Sequence, residues 1–178
     1  MQEELSSYNP YKYEGKSSTN ALDYTFVTDF GIKYQVYFIH SQGDFPAHPH
    51  LDNHTYTFGF GPSVDHSILL PPTPKSGIDP RVKDTIIDIL RKILQGDKDI
   101  ALMYICSSGG DRQSAARNRV FSAWLREKDP KALFGLQITA YNLKVDNTYM
   151  SVLVRDDNEY YTDFKEAIAI FRDQIKNK

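Results

Sequence analysis

Residues Asp99–Trp124, DIALMYICSSGGDRQSAARNRVFSAW, carry the strongest indication of the fold. The run that ends at Cys106 is almost continuously apolar. This predicts a strand that is buried on both faces and lies near the middle of a sheet. A polar Gly-Gly loop follows the strand. A helix is then predicted from Arg112 to about Lys128. Its end is placed there because Pro130 cannot continue the helix.

The preceding segments show strand patterns and one clear helix. Alternating apolar residues predict a hairpin of Asp23–Val27 with Lys33–His40, and a third strand over residues 54–61. Asp79 is a typical helix N-cap and is followed by a proline, so a helix is expected over Pro80–Leu94.

The remaining elements complete an α+β pattern. Two strands flank the Asp146-Asn147 turn, and a helix is expected over Tyr160–Ile175. The predicted order is β-β-β-α-β-α-β-β-α, which indicates a mixed, mostly antiparallel sheet with helices packed on it. Residues 1–20 are polar and are expected to form a flexible N-terminal arm. Residues 21–178 are expected to form a single α+β domain.

The composition sets limits on the class of protein. The chain has 178 residues, and 40% of them are hydrophobic, which is enough for a sizeable core. Its net charge of −2 gives no overall positive potential of the kind that attracts nucleic acid. The single cysteine excludes an intrachain disulfide and fits a reducing compartment. The N-terminus has no apolar core of a secretory signal, and no apolar run is long enough to span a bilayer. We therefore expect a cytoplasmic protein with no membrane partner.

The loop and helix start after Cys106 form a candidate anion-binding surface. Helix N-termini present unpaired N–H groups and a partial positive charge, and glycines let the backbone approach a ligand closely. Arginine binds phosphate or carboxylate through paired hydrogen bonds. The predicted anion-binding residues are Ser107, Ser108, Gly109, Gly110, Arg112, Arg117 and Arg119. The leading hypothesis is a non-catalytic binding protein whose contact surface, residues 107–126, binds an unknown protein partner or an anionic ligand.

Two alternative functions use the same segment. Cys106 and Arg112 have the Cys-x5-Arg spacing of a phosphatase loop, in which a thiolate attacks a phosphate ester. Asp111 argues against this chemistry, because its carboxylate repels phosphate and is itself a good N-cap. The second alternative is nucleic-acid binding through the arginines of the helix, Arg112, Arg117, Arg119 and Arg126. No cofactor is predicted.

A histidine cluster is a candidate metal site. All five histidines fall between positions 40 and 66, and the segment HPHLDNH contains three of them, with Asp52 beside them. Neutral imidazoles are ligands of zinc and other divalent metals. Pro49 is expected to keep the segment extended, so that the first two histidines point to the same side. The predicted metal ligands are His48, His50 and His54, and an ordinary polar loop is the alternative.

Several short motifs together resemble a known family. They are Asp79-Pro80-Arg81, Asp84-Thr85-Ile86, Tyr104-Ile105-Cys106, Arg112-Gln113, Ala115-Ala116-Arg117-Asn118-Arg119, Phe121 and the late strand SVLVRDDN. Together these motifs resemble a bacterial family, mainly from Bacteroidota, that is catalogued only as a domain of unknown function. The resemblance spans about Tyr24 to Phe171. It implies a shared fold and no established activity.

Overall fold

Seven strands form one mixed sheet in the order β1-β2-β3-β4-β5-β7-β6. The computed structural model describes residues 8–63, 79–107, 121–125, 129–145 and 148–176. The β4–β5 pair is parallel and the other neighbouring pairs are antiparallel. The prediction of a mixed, mostly antiparallel α+β sheet is confirmed. The strands are β1 (Tyr13–Ser17), β2 (Ala21–Val27), β3 (Lys33–His40), β4 (Thr55–Pro62), β5 (Ala101–Ser107), β6 (Ile138–Val145) and β7 (Thr148–Arg155).

The helices of the described residues lie between these strands or, in one case, after the last of them. They are α1 (Pro80–Gly96), α2 (residues 121–125), α3 (Pro130–Phe134) and α4 (Tyr161–Lys176), with a 3₁₀ segment, Pro49–His54, before β4. Helix α1 starts as predicted, because the Asp79 carboxylate accepts a hydrogen bond of 2.9 Å from the Arg81 backbone N–H. It connects the two parallel strands, which need such a crossover. Among the helices described, none is long and apolar enough to cross a membrane.

Both faces of the sheet carry a hydrophobic cluster. On one face, α1 packs Ile86 and Leu90 into a cluster that includes Leu102 of β5. On the other face, α4 packs Phe164 into a cluster that includes Met103 of β5. Successive strand side chains point to opposite faces, so β5 contributes to both clusters. This confirms the strand predicted to be buried on both faces.

The predicted N-terminal arm differs from the structure over residues 8–17. Strand β1 pairs antiparallel with β2 at the edge of the sheet. Just before it, Tyr11 is buried, its backbone N–H donates to Thr85 Oγ1 at 2.8 Å, and its hydroxyl donates to Asp79 Oδ2 at 2.6 Å. The globular domain therefore begins before the predicted boundary at residue 21, because tyrosine side chains attach this polar segment to α1.

The helix predicted over Arg112–Lys128 is described over residues 121–125, which are helical. Phe121 is fully buried against Tyr104, with ring centroids 4.7 Å apart. Trp124 stacks on Phe60 at 5.9 Å. The short helix α3 was not predicted; it begins at Pro130, where the preceding helix was expected to stop.

Candidate metal site

The predicted histidine ligands lie on a loop that its own hydrogen bonds hold in place. The Asp52 carboxylate accepts from the backbone N–H groups of Gly43, at 2.9 Å, and Asp44, at 3.2 Å. The Ser41 backbone N–H donates to Thr55 O at 2.9 Å, which closes the loop at its base. Asp52 therefore shapes the loop with its carboxylate and does not join the histidine side chains.

Apolar packing positions this loop against α4. Leu51 has no exposed surface and Phe45 is 1% exposed, and both belong to the cluster under α4. The Phe45 and Phe164 rings meet edge to face with centroids 5.8 Å apart. Burial of such side chains contributes about 2 kcal/mol each. This packing places the polar side chains next to Leu51 over the first turns of the helix.

Two histidines of the loop meet two carboxylates of α4. His50 Nε2 lies 2.7 Å from Asp163 Oδ2, and His48 Nε2 lies 3.7 Å from Glu166 Oε2. Residues three apart on a helix share a face, so both carboxylates project toward the loop. One ligand atom each from His48, His50 and Asp163 lies within 4.8 Å of the others.

The spacing of these atoms is close to that of a metal site. Zinc binds imidazole nitrogen and carboxylate oxygen at about 2.0–2.2 Å, which puts tetrahedral ligand atoms about 3.3 Å apart. The His50–Asp163 distance of 2.7 Å is shorter than this. The three ligand atoms lie within 4.8 Å of one another, a range that extends beyond it. The side chains of His50 and Asp163 are 45% and 38% exposed, so packing leaves them room to rotate.

The metal ligands predicted from sequence are brought together only in part. His48 and His50 converge, whereas the His54 ring packs against Tyr160 with centroids 4.2 Å apart and lies outside the group. The expected extended segment is wrong, because Pro49 begins a 3₁₀ turn. That turn carries His54 away from the first two histidines. Metal binding itself stays a prediction.

Sequence reasoning missed the carboxylate partners. Asp163 lies 113 positions after His50. The only local pattern that marks them is the Asp-x-x-Glu spacing of Asp163 and Glu166 on a predicted helix, and many solvent-exposed helices have it.

The other predicted site residues lie at or beyond the end of β5. Cys106 and Ser107 are the last two residues of that strand and pair with Tyr149 and Thr148 of β7. The rest of the anion-binding surface falls outside the described residues. These predicted residues are Ser108, Gly109, Gly110, Arg112, Arg117 and Arg119, together with Arg126 of the nucleic-acid alternative.

Comparison with known proteins places the chain in a family. Neither the curated proteins nor the solved structures contain a match to it. Residues 78–173 match a family of unknown function, DUF6169. The matched range runs from just before α1 into α4, so it includes Asp163 and Glu166 but neither His48 nor His50. Because the match covers more than half of the chain, the protein belongs to the DUF6169 family.

Proposed function

We propose that this protein binds a divalent transition-metal ion, with Zn²⁺ as the best fit, through His48, His50 and Asp163. The observation that carries the proposal is the convergence of two imidazoles and one carboxylate within 4.8 Å. Imidazole ligands favour zinc, nickel and copper, whereas magnesium and calcium prefer oxygen ligands alone.

A fourth ligand is available beside these three. Glu166 Oε2 lies 3.7 Å from His48 Nε2, and its side chain is 58% exposed, which leaves room for it to turn toward the site. Zinc sites with three protein ligands keep an open position for water, and sites with four are closed. Glu166 therefore determines whether the bound ion retains an exchangeable water.

Metal binding at this site links distant parts of the fold. The ligands come from the loop before β4 and from α4, and His50 and Asp163 are 113 positions apart in the chain. A ligand that binds the folded state alone stabilises it by about 2.7 kcal/mol at a concentration of 100 Kd. We therefore expect zinc to raise the melting temperature of the whole domain.

Isothermal titration calorimetry of Zn²⁺ into the metal-free 178-residue chain tests the proposal. We expect one ion per chain, loss of binding in His50→Ala and retention in His54→Ala. The second variant is the matched control, since His54 lies in the same 3₁₀ segment and outside the group. Mg²⁺ should give no saturable heat. Zinc binding that survives in the double variant His48→Ala/His50→Ala would contradict the proposal.

The contact surface over residues 107–126 is a separate proposal, supported by sequence alone. Its partner is an unknown protein or an anionic ligand, and the hydrolase and nucleic-acid alternatives rest on the same segment. A cytoplasmic location and a bacterial origin are proposals of the same kind.

A further inference from the structure

A polar pocket lies on the opposite side of the sheet from the histidine loop. Its volume is about 410 Å³, and it is lined by Tyr13 of β1, by Asp88, Arg91, Lys92 and Gln95 of α1, and by Phe134 and Gly135 at the end of α3. Small-molecule sites are typically clefts of about 300–1,000 Å³. The pocket is therefore large enough for a compact organic ligand.

The single carboxylate in this lining is already neutralised. Asp88 accepts hydrogen bonds from the Tyr13 hydroxyl at 2.8 Å, from Arg91 Nη2 at 2.7 Å and from the Tyr8 hydroxyl. Partial burial alone would raise the pKa of Asp88, but these hydrogen bonds outweigh it and hold the pKa below its ordinary value. Asp88 is thus an ionised group whose charge is balanced by Arg91.

Lys92 supplies the charge that remains. Its ammonium lies 5.3 Å from the centroid of the Tyr13 ring, in a cation–π arrangement. Within the described part of the chain, no carboxylate lies within 4.0 Å of it. With Asp88 and Arg91 cancelling each other, the pocket carries an excess positive charge next to an aromatic ring and the amide of Gln95.

We propose that this pocket binds a small organic anion, with the acid group of the ligand on Lys92 and Gln95 and its body against the ring of Tyr13. A carboxylate and a phosphate monoester share the required chemistry, because both accept hydrogen bonds from an ammonium group. The pocket lies away from the metal ligands, and its occupancy does not depend on zinc.

Amide NMR titrations of the full-length chain test the pocket with three probes. Phenyl phosphate and benzoate carry the two acid groups, and benzyl alcohol is the uncharged control. We expect saturable shifts at the amides of Lys92, Gln95 and Gly135 with at least one acid, and the tighter acid identifies the preferred group. Equal affinity for benzyl alcohol, or no saturable shift at these amides with either acid, would overturn the proposal.

Two lysine variants separate the pocket from general charge effects. Lys92→Gln should weaken binding about tenfold, since a hydrogen bond to a charged group contributes about 1.5 kcal/mol. Lys33→Gln is the matched control, because Lys33 is exposed at the start of β3, outside the pocket lining. Equal weakening in both variants would show non-specific attraction and would overturn the assignment to this pocket.

Discussion

His50 Nε2 lies 2.7 Å from Asp163 Oδ2, although the two residues are 113 positions apart in the chain. The contact joins the 3₁₀ segment before β4 to the first turn of α4. It also brings His48 to the side of Glu166. A hydrogen-bonded pair between half-exposed side chains contributes little to stability on its own. A metal ion bound between the same groups would increase the contribution of this contact to the stability of the folded domain.

Leu51→Ala should loosen the loop that carries the histidines. Leu51 is fully buried under α4, and truncation of a buried leucine costs about 2–5 kcal/mol in free energy of unfolding. Urea denaturation measures the loss, and zinc affinity should fall with it. Ile39→Ala is the control, because Ile39 is 50% exposed and should change stability by about 0.5 kcal/mol or less. Equal effects of the two variants would contradict the packing described for the loop.

Asp52→Ala should separate loop positioning from metal ligation. The Asp52 carboxylate accepts from Gly43 and Asp44 and does not join the His48, His50 and Asp163 group. We expect weaker zinc binding at an unchanged ratio of one ion per chain, because the loop is less well ordered. Asp163→Ala, in contrast, should abolish binding. Zinc affinity in Asp52→Ala equal to that of wild type would contradict this positioning role.

The stability of the domain should depend on the ionisation of Asp88. The folded-state pKa of Asp88 lies below its ordinary value of 3.8, despite partial burial, because of hydrogen bonds from Tyr8, Arg91 and Tyr13. A lowered pKa contributes stability above the unfolded-state pKa, and this is lost as pH falls through the folded-state pKa. Urea unfolding between about pH 6 and pH 2 should show that Asp88→Asn is less stable than wild type, by a margin that shrinks in acid. A margin independent of pH would refute this role.

Gly135→Ala should destabilise the turn that borders the pocket. Gly135 ends α3 with φ of 63°, in the left-handed region that costs a non-glycine residue about 1–2 kcal/mol. Gly96→Ala is the control at the end of α1, where no positive φ is required and an added Cβ meets nothing within 4 Å. Thermal unfolding should rank the control at or above wild type and Gly135→Ala below it. The reverse order would show that the turn adapts without strain.

The central part of the fold is predictable because its patterns are local. The apolar run of β5 predicts burial on both faces, and it lies between β4 and β7 with a cluster on each side. Asp79 and the proline after it likewise set the start of α1. Strand β1 was missed because its sequence, YEGKS, has one partly buried residue, Tyr13, and pairs through its backbone at a sheet edge.

The candidate site is only half predictable, for a physical reason. The clustering of His48 and His50 is visible in the sequence, because two positions separate them. Asp163 and Glu166 reach them through the packing of Phe45 and Leu51 against α4, a set of tertiary contacts that has no local pattern. His54, predicted in the same group, lies against Tyr160 at the end of the 3₁₀ turn.

Zinc X-ray absorption spectroscopy of the loaded full-length protein observes the proposed ligands themselves. The predicted first shell contains two imidazole nitrogens at about 2.0–2.1 Å and carboxylate oxygen at about 2.0–2.2 Å, without sulfur. His50→Ala should retain no bound zinc after the same loading, whereas His54→Ala should show an unchanged shell. A shell of oxygen atoms alone would contradict the metal site on the histidine loop and α4. So would a shell in which the Cys106 sulfur lies about 2.3 Å from the zinc.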